Sequence, residues 1–211
     1  MLLTIVDYGV GNLRSIAKSI EKANSDNSLN YSVKVSSDIS DVKKSDKIVL
    51  PGQGSFKSCK EGIENIKGLL EELNESVLIK KKPIYGICAG MQLFATTGHE
   101  EEKTAGLNWI PGEVIRLDFG SFKFKIPHMG WNELQIENPS LVFKDVINKD
   151  HAYFIHSYEF IPKDKKNVSI TTNYGRDVIA AVSFKNIYGS QFHPEKSQNT
   201  GIKILTNFLK L

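Results

Sequence analysis

Hydrophobic and polar positions give the two halves of the chain different rhythms. Residues 2–7 form a short apolar run that ends in a glycine-bearing turn, and over residues 13–23 the apolar side chains Leu13, Ile16, Ala17 and Ile20 recur at helical spacing. This predicts strand, turn, helix. Residues 31–35 alternate as a strand does, residues 47–50 are a short β-rich run stopped by Pro51-Gly52, and residues 56–82 predict one or two helices. A further strand is expected over 83–88. Such alternation implies parallel strands joined by right-handed crossovers, which bring several strand ends to one edge. From about Gly112 onward the pattern is strand-rich, with runs at 113–117, 133–136, 152–160, 168–172, 178–184 and 188–192, before an amphipathic helix over 201–211. The expected architecture is α/β, a mostly parallel sheet flanked by helices with added antiparallel strands, in one domain spanning 1–211.

Composition narrows the function classes. A chain of 211 residues with 40% hydrophobic content builds one sizeable core or at most two small ones. The formal net charge is only +3, and the lysine runs at 80–82 and 163–166 lack interleaved aromatics, so nucleic acid is not an expected partner. No apolar run reaches the length of a membrane span. Two cysteines without a C-x-x-C spacing and without a signal-peptide pattern predict neither a disulfide framework nor a zinc site, and point to a reducing, cytoplasmic setting.

One of those cysteines stands in "YGICAGMQLF". Gly86 and Gly90 flank Cys88 in a G-x-nucleophile-x-G pattern at an expected strand-to-helix junction, where glycines relieve the crowding of a sharp turn. A helix N-terminus also favours an anionic sulfur. The alternative is a buried apolar cysteine ending a strand. A thiolate nucleophile needs a base, and "GSQFHPEKS" offers His193 with Glu195 two residues on, both able to project to one side of an extended chain stiffened by Pro194. Alone, this tripeptide also fits an ordinary turn. The third segment, "VLPGQGSF", places Gly52 and Gln53 after a buried-looking strand, where backbone N–H groups together with that of Ala89 could form an oxyanion hole. A plain turn is its alternative.

Other motifs carry less. "GVGNLR" begins like a dinucleotide fingerprint but has Arg14 where the third glycine belongs. His151 and His156 point to opposite faces of a strand, which argues against a metal site. Cys59, lysine-flanked and without a base nearby in sequence, reads as an ordinary free thiol.

The order PGQG, GICAGMQ, HPEK resembles the class I (triad) glutamine amidotransferases. Four further segments, "VDYGVGNLRS", "PHMGWNEL", "YFIHSYEF" and "GSQFHPEKS", resemble the branch of glutaminase subunits that serve imidazole glycerol phosphate synthases of histidine biosynthesis. The resemblance implies hydrolysis of L-glutamine to glutamate and ammonia through a Cys88–His193–Glu195 triad and a thioester. No metal or organic cofactor is implied. Ammonia would pass to a (β/α)8-barrel synthase subunit in a heterodimer. The resemblance further implies that Gln92, Glu100, Ser157 and Tyr158 hold the substrate, and that Asn12, Met129, Trp131 and Tyr153 face the partner. Two positions depart from the branch's usual pattern: Ala89, where leucine is usual, and Gln53, where valine is usual. Such departures also fit relatives that supply ammonia for sugar (amidino) modification, and the triad alone also permits a cysteine peptidase-type hydrolase.

Overall fold

The computed structural model describes residues 1–121 and 124–211. Its first strand, β1 (Leu2–Val6), sends Leu3 and Ile5 into one apolar cluster and Val6 into another, all fully buried. A strand covered on both faces reads as a continuous apolar run rather than an alternating one. The helix α1 (Leu13–Asp26) follows, its first turn capped by the Asn12 side chain, which accepts from the Ser15 N–H at 3.3 Å. Next come β2 (Ser32–Ser36), the short α2 (Ile39–Lys44), β3 (Lys47–Leu50), α3 (Phe56–Glu64) and α4 (Leu69–Asn74). A π-helical turn over Glu75–Ile79 extends α4 toward β4 (Ile84–Ile87) and the single turn α5 (Ala89–Gln92). The expected one or two helices over 56–82 are thus α3 and a bipartite α4.

The second half contributes β5 (Thr97–Glu100), β6 (Glu102–Ala105), β7 (Gly112–Arg116), β8 (His128–Glu133), β9 (Gln135–Ile136), β10 (His151–His156), β11 (Tyr158–Pro162), β12 (Val168–Asn173), β13 (Asp177–Phe184), β14 (Ile187–Ser190) and α6 (Gln198–Leu209). The main sheet runs β2-β1-β3-β4-β14-β13-β12-β9. Its strands are parallel from β2 through β14 and antiparallel from β14 onward. Side chains of α1 and α6 pack with Tyr85 and Ile87 on one face of this sheet, and those of α3, α4 and α5 pack with Ile48, Leu50 and Ile84 on the other. Removing each such aliphatic side chain from water contributes roughly 1.5–3 kcal/mol, so a polar substitution at Ile48 or Ile87 would break the layering before it touched any site.

Two expected strands are corrected. The run at 152–160 is not one strand: β10 pairs antiparallel with β8 in a two-stranded ribbon, and β11 pairs with β7 in a separate sheet of order β11-β7-β5-β6. The chain changes sheets at Ser157, whose carbonyl accepts from the Leu117 N–H at 2.9 Å. Both strands stay extended, so the alternation passes through the switch unchanged. The run at 133–136 likewise divides between β8 and β9.

Candidate active site

Cys88 joins β4 to α5 with φ +53° and ψ −115°, a backbone region that side chains other than glycine rarely adopt and that costs about 1–3 kcal/mol. The surroundings over-determine it. Its N–H donates to the Ser190 carbonyl at 2.8 Å, and its carbonyl accepts from the N–H groups of Met91 and Gln92 at 3.0 and 3.1 Å. A Cβ on Gly90 would lie 2.1 Å from the Leu50 carbonyl oxygen, and one on Gly52 would lie 2.0 Å from the Gly90 nitrogen. Glycine is therefore required at both positions for the 51–54 loop to meet the elbow backbone to backbone.

The strand β14 ends at Ser190, and Gln191, His193 and Glu195 follow within five residues. The H-P-E segment is not extended as expected, because Pro194–Lys196 close a 3-10 turn that brings Glu195 back against His193. Nδ1 of His193 lies 2.8 Å from Oε1 of Glu195, whose side chain is only 1% exposed. That contact directs the other ring nitrogen toward Cys88. Burial opposes the charged ring, but hydrogen bonds and charges from Cys88 and Glu195 outweigh it and raise the His193 pKa to about 9. The imidazole is thus protonated at neutral pH. Its backbone is pinned as well, by a 3.0 Å bond from its N–H to the Tyr153 carbonyl and a 2.7 Å bond from the Ser197 hydroxyl to its own carbonyl.

The 51–54 loop is held from behind. The Tyr8 hydroxyl donates to the Pro51 carbonyl, and the Cys59 thiol donates to the Gln53 carbonyl at 3.6 Å. A Cβ on Gly11 would meet the Pro51 side chain at 3.0 Å, so the glycine-rich 9–11 turn buttresses the same loop. The N–H groups of Gln53 and Ala89 donate to no acceptor among the described residues. Cys59 is fully buried, and burial pushes its thiol up to about 11. It is a free thiol, as its sequence context suggests, and with Tyr8 it also contacts the loop.

Cys88, Ala89, Gly52 and Gln53 open onto a cavity of about 340 Å³ that His193 also lines. Gln92, Glu100, Ser157 and Tyr158 complete its wall. Every residue expected to act on or hold the substrate therefore reaches this cavity, except Glu195, which stands behind His193. Two of them have further duties. Nε2 of Gln92 donates to the Tyr158 carbonyl at 3.0 Å and to Oε1 of Gln191 at 2.8 Å. Oε2 of Glu100 accepts from the N–H of Phe56, the first residue of α3, at 2.7 Å. Gln191 is a residue that sequence reasoning missed: fully buried, it points Nε2 at the Cys88 sulfur at 3.5 Å. Its signal was its place two residues before His193.

Beside the cavity, the β8–β10 ribbon has two unlike faces. Register pairs Trp131 with Tyr153 and Met129 with Ile155, so these four residues share one face. Met129 is 62% and Trp131 47% exposed, and the Trp131 and Tyr153 rings meet edge to face at 6.1 Å. Asn12, also expected at an interface, is exposed but has its side chain engaged in capping α1. On the ribbon's inner face, Nδ1 of His128 lies 3.0 Å from Nε2 of His156, and Nδ1 of His156 lies 2.8 Å from the Tyr158 carbonyl. A carbonyl only accepts, so His156 donates from Nδ1 and accepts at Nε2, and His128 donates to it. Desolvation depresses these rings to about 4 for His128 and about 3 for His156, so both are neutral.

A larger cavity, of about 970 Å³, lies between the β7–β11 pair and the β12–β13 hairpin, lined by Glu113, Lys163 and Asp177 among others, with neither cysteine nor histidine in its lining. No group of three potential metal ligands occurs among the described residues, and none of their helices is long and apolar enough to cross a membrane. His151 is exposed and His156 buried, on opposite faces of β10 as expected.

The family model for class I glutamine amidotransferases matches residues 4–211. The imidazole glycerol phosphate synthase subunit HisH of Pelagibacter ubique is 49% identical to this chain over the full length of both. The corresponding subunit of Brucella suis is 41% identical, covering 100% of this chain and 99% of its own. Among solved structures, a glutamine amidotransferase superposes with a TM-score of 0.72 at 16% identity, covering 99% of each chain. A second, from Thermotoga maritima, gives 0.60 at 16% identity over 95% of this chain and 78% of its own, a likeness of fold.

Proposed function

Since the chain belongs to the class I glutamine amidotransferases, and within them to the HisH subunits of imidazole glycerol phosphate synthase, we propose that the cavity at Cys88 hydrolyses L-glutamine and that the ammonia serves imidazole glycerol phosphate formation in histidine biosynthesis. The observation that carries this reading is the convergence of a strained, cavity-facing thiol, a protonated imidazole backed by a carboxylate, and two N–H groups without protein acceptors.

In this reading the thiolate of Cys88 adds to the side-chain amide carbon of glutamine, and the oxyanion forms against the N–H groups of Ala89 and Gln53. His193, carrying the proton, gives it to the departing nitrogen; ammonia leaves and a thioester remains. His193, now neutral, takes a proton from water, which attacks the thioester and releases glutamate. Glu195 holds the imidazole with its second nitrogen toward the sulfur throughout. Gln92, Glu100, Ser157 and Tyr158 supply the polar wall that a glutamine backbone needs. The chain acts as one glutaminase unit over 1–211, and the exposed Met129–Trp131–Tyr153–Ile155 face suits a (β/α)8-barrel synthase subunit. The high identity to imidazole glycerol phosphate synthase subunits favours that pathway over sugar modification or peptidase chemistry.

The test is reconstitution with the barrel subunit. Cys88→Ala should abolish glutamine-dependent product formation while ammonium salt still supports it. Survival of glutamine-dependent turnover in that variant would overturn the assignment.

A further inference from the structure

Gln191 belongs to none of the roles assigned above, yet it touches the nucleophile. Its backbone N–H donates to the Ala180 carbonyl at 2.8 Å, which fixes the residue to β13, and its side chain is wholly removed from solvent. The orientation of its carboxamide follows from its neighbours. The Tyr158 carbonyl can only accept, so the atom of Gln92 facing it is nitrogen. The same nitrogen faces Gln191 at 2.8 Å, so Gln191 presents its oxygen there and its NH2 to the Cys88 sulfur at 3.5 Å. The sulfur consequently lies between a donor, Gln191, and an acceptor, the Ile155 carbonyl at 3.9 Å. An N–H donor binds a thiolate more strongly than a thiol.

We propose that Gln191 is a positioning residue for the glutaminase reaction: its NH2, aimed by Gln92, holds the Cys88 sulfur as the thiolate opposite His193. The proposal rests on the assignment of Cys88 as nucleophile. Gln191, His193 and Glu195, within five residues after β14, then supply the donor that holds the sulfur, the acid and base that serves it, and the carboxylate that orients the base. Gln92 joins the wall of the substrate cavity to the nucleophile, because it lines the cavity and aims Gln191.

The experiment compares Gln191→Glu and Gln191→Met with the native chain, each in complex with its barrel partner. Gln191→Glu keeps an oxygen for Gln92 but replaces the donor with a carboxylate that adds negative charge beside the sulfur; Gln191→Met removes both contacts at similar volume and adds no charge. The readouts are the pH profile of Cys88 alkylation by iodoacetamide, and kcat and KM for glutamine. Both variants should lower the neutral-pH alkylation rate and kcat by about ten- to a hundredfold and leave KM within about threefold. An unmoved alkylation profile with native kcat overturns the proposal, as does a rise in KM alone, which would make Gln191 a substrate contact. If the methionine variant fails to fold, Gln191→Leu, which also adds no charge, decides. Absence of alkylation at Cys88 in the native chain would instead sink the nucleophile assignment on which the proposal rests.

Discussion

Nδ1 of His193 and Oε1 of Glu195 lie 2.8 Å apart across the start of a 3-10 turn, and this pair sets the rank order of damage expected in the triad. In the proposed mechanism Cys88→Ala and His193→Ala each remove a group that touches the reacting atoms, so each should bring glutamine turnover to the same low residue. Glu195→Gln leaves nucleophile and base in place and should cost about ten- to a hundredfold less than either. Steady-state glutamate release in the reconstituted pair measures all three. Equal loss in Glu195→Gln would mean that the carboxylate does more than orient the ring.

The strain at Cys88 has its own signature. A backbone at φ +53° suits glycine and penalises any other residue. Cys88→Gly should therefore be more stable than Cys88→Ala by about 1 kcal/mol, although glycine ordinarily costs a folded chain more entropy than alanine. Denaturant melts of the two inactive variants compare them directly. A less stable glycine variant would contradict the elbow as a strained element.

These features differ in how far the sequence could reveal them. The elbow and the H-P-E segment were legible because glycine, proline and a two-residue spacing are local properties. The layered core was legible too, since strands buried on both faces must be apolar throughout. The β5–β6 hairpin was not. Its segment is mainly polar and without alternation, and it is held by backbone pairing to β7 and by Glu101 at φ +58°. The sheet change at Ser157 was invisible because extended backbone continues through it. Gln191, Tyr8 and Cys59 act through contacts between distant segments, which no local spacing records.

Accessibility separates the two cysteines. Cys88 opens on the cavity, whereas Cys59 is fully buried with its thiol pushed up to about 11. A glutamine-analogue alkylator should label Cys88 stoichiometrically and spare Cys59, as peptide mass mapping would report. Labelling confined to Cys59 would remove the elbow from the mechanism.

The histidines predict opposite pH limits. His193 has a pKa raised to about 9, so its contribution to stability is fully present below the unfolded value of about 6.5 and is lost as pH rises through 6.5 toward about 9. His128 and His156 are depressed to about 4 and about 3; their contribution is present above about 6.5 and is lost as pH falls toward those values. Turnover should fall as pH rises through about 9, where His193 loses the proton it gives to ammonia. His128→Phe should blunt the acid-side loss of stability and leave the alkaline fall in turnover unchanged. Thermal melts and kcat measured from pH 4 to 10 test both statements, and an acid limb unaffected by His128→Phe would refute the first.

The last expectation concerns restraint. Free ammonia released without an acceptor wastes glutamine, and the 51–54 loop offers a place to prevent it. The Gln53 carbonyl is held by a thiol donor at 3.6 Å, among the weakest hydrogen bonds a side chain makes, so the peptides beside it can turn at small cost once the neighbouring ribbon is engaged. A missing oxyanion donor typically costs ~10²–10³ in turnover. The isolated chain should therefore hydrolyse glutamine at least about a hundredfold more slowly than the complex with its ligand-bound barrel partner. Trp131→Ala or Tyr153→Ala, on the exposed face of the β8–β10 ribbon, should weaken docking or this stimulation while leaving Cys88 alkylation unchanged. Cys59→Ala removes the thiol's hold and should raise the partner-free rate by about two- to fivefold, whereas Cys59→Ser, with a stronger donor, should not. Glutamate release is measured for the chain alone, with the partner, and with partner plus ligand. Equal rates in all three would show a loop that is competent at rest, with Gln53 already in its working conformation.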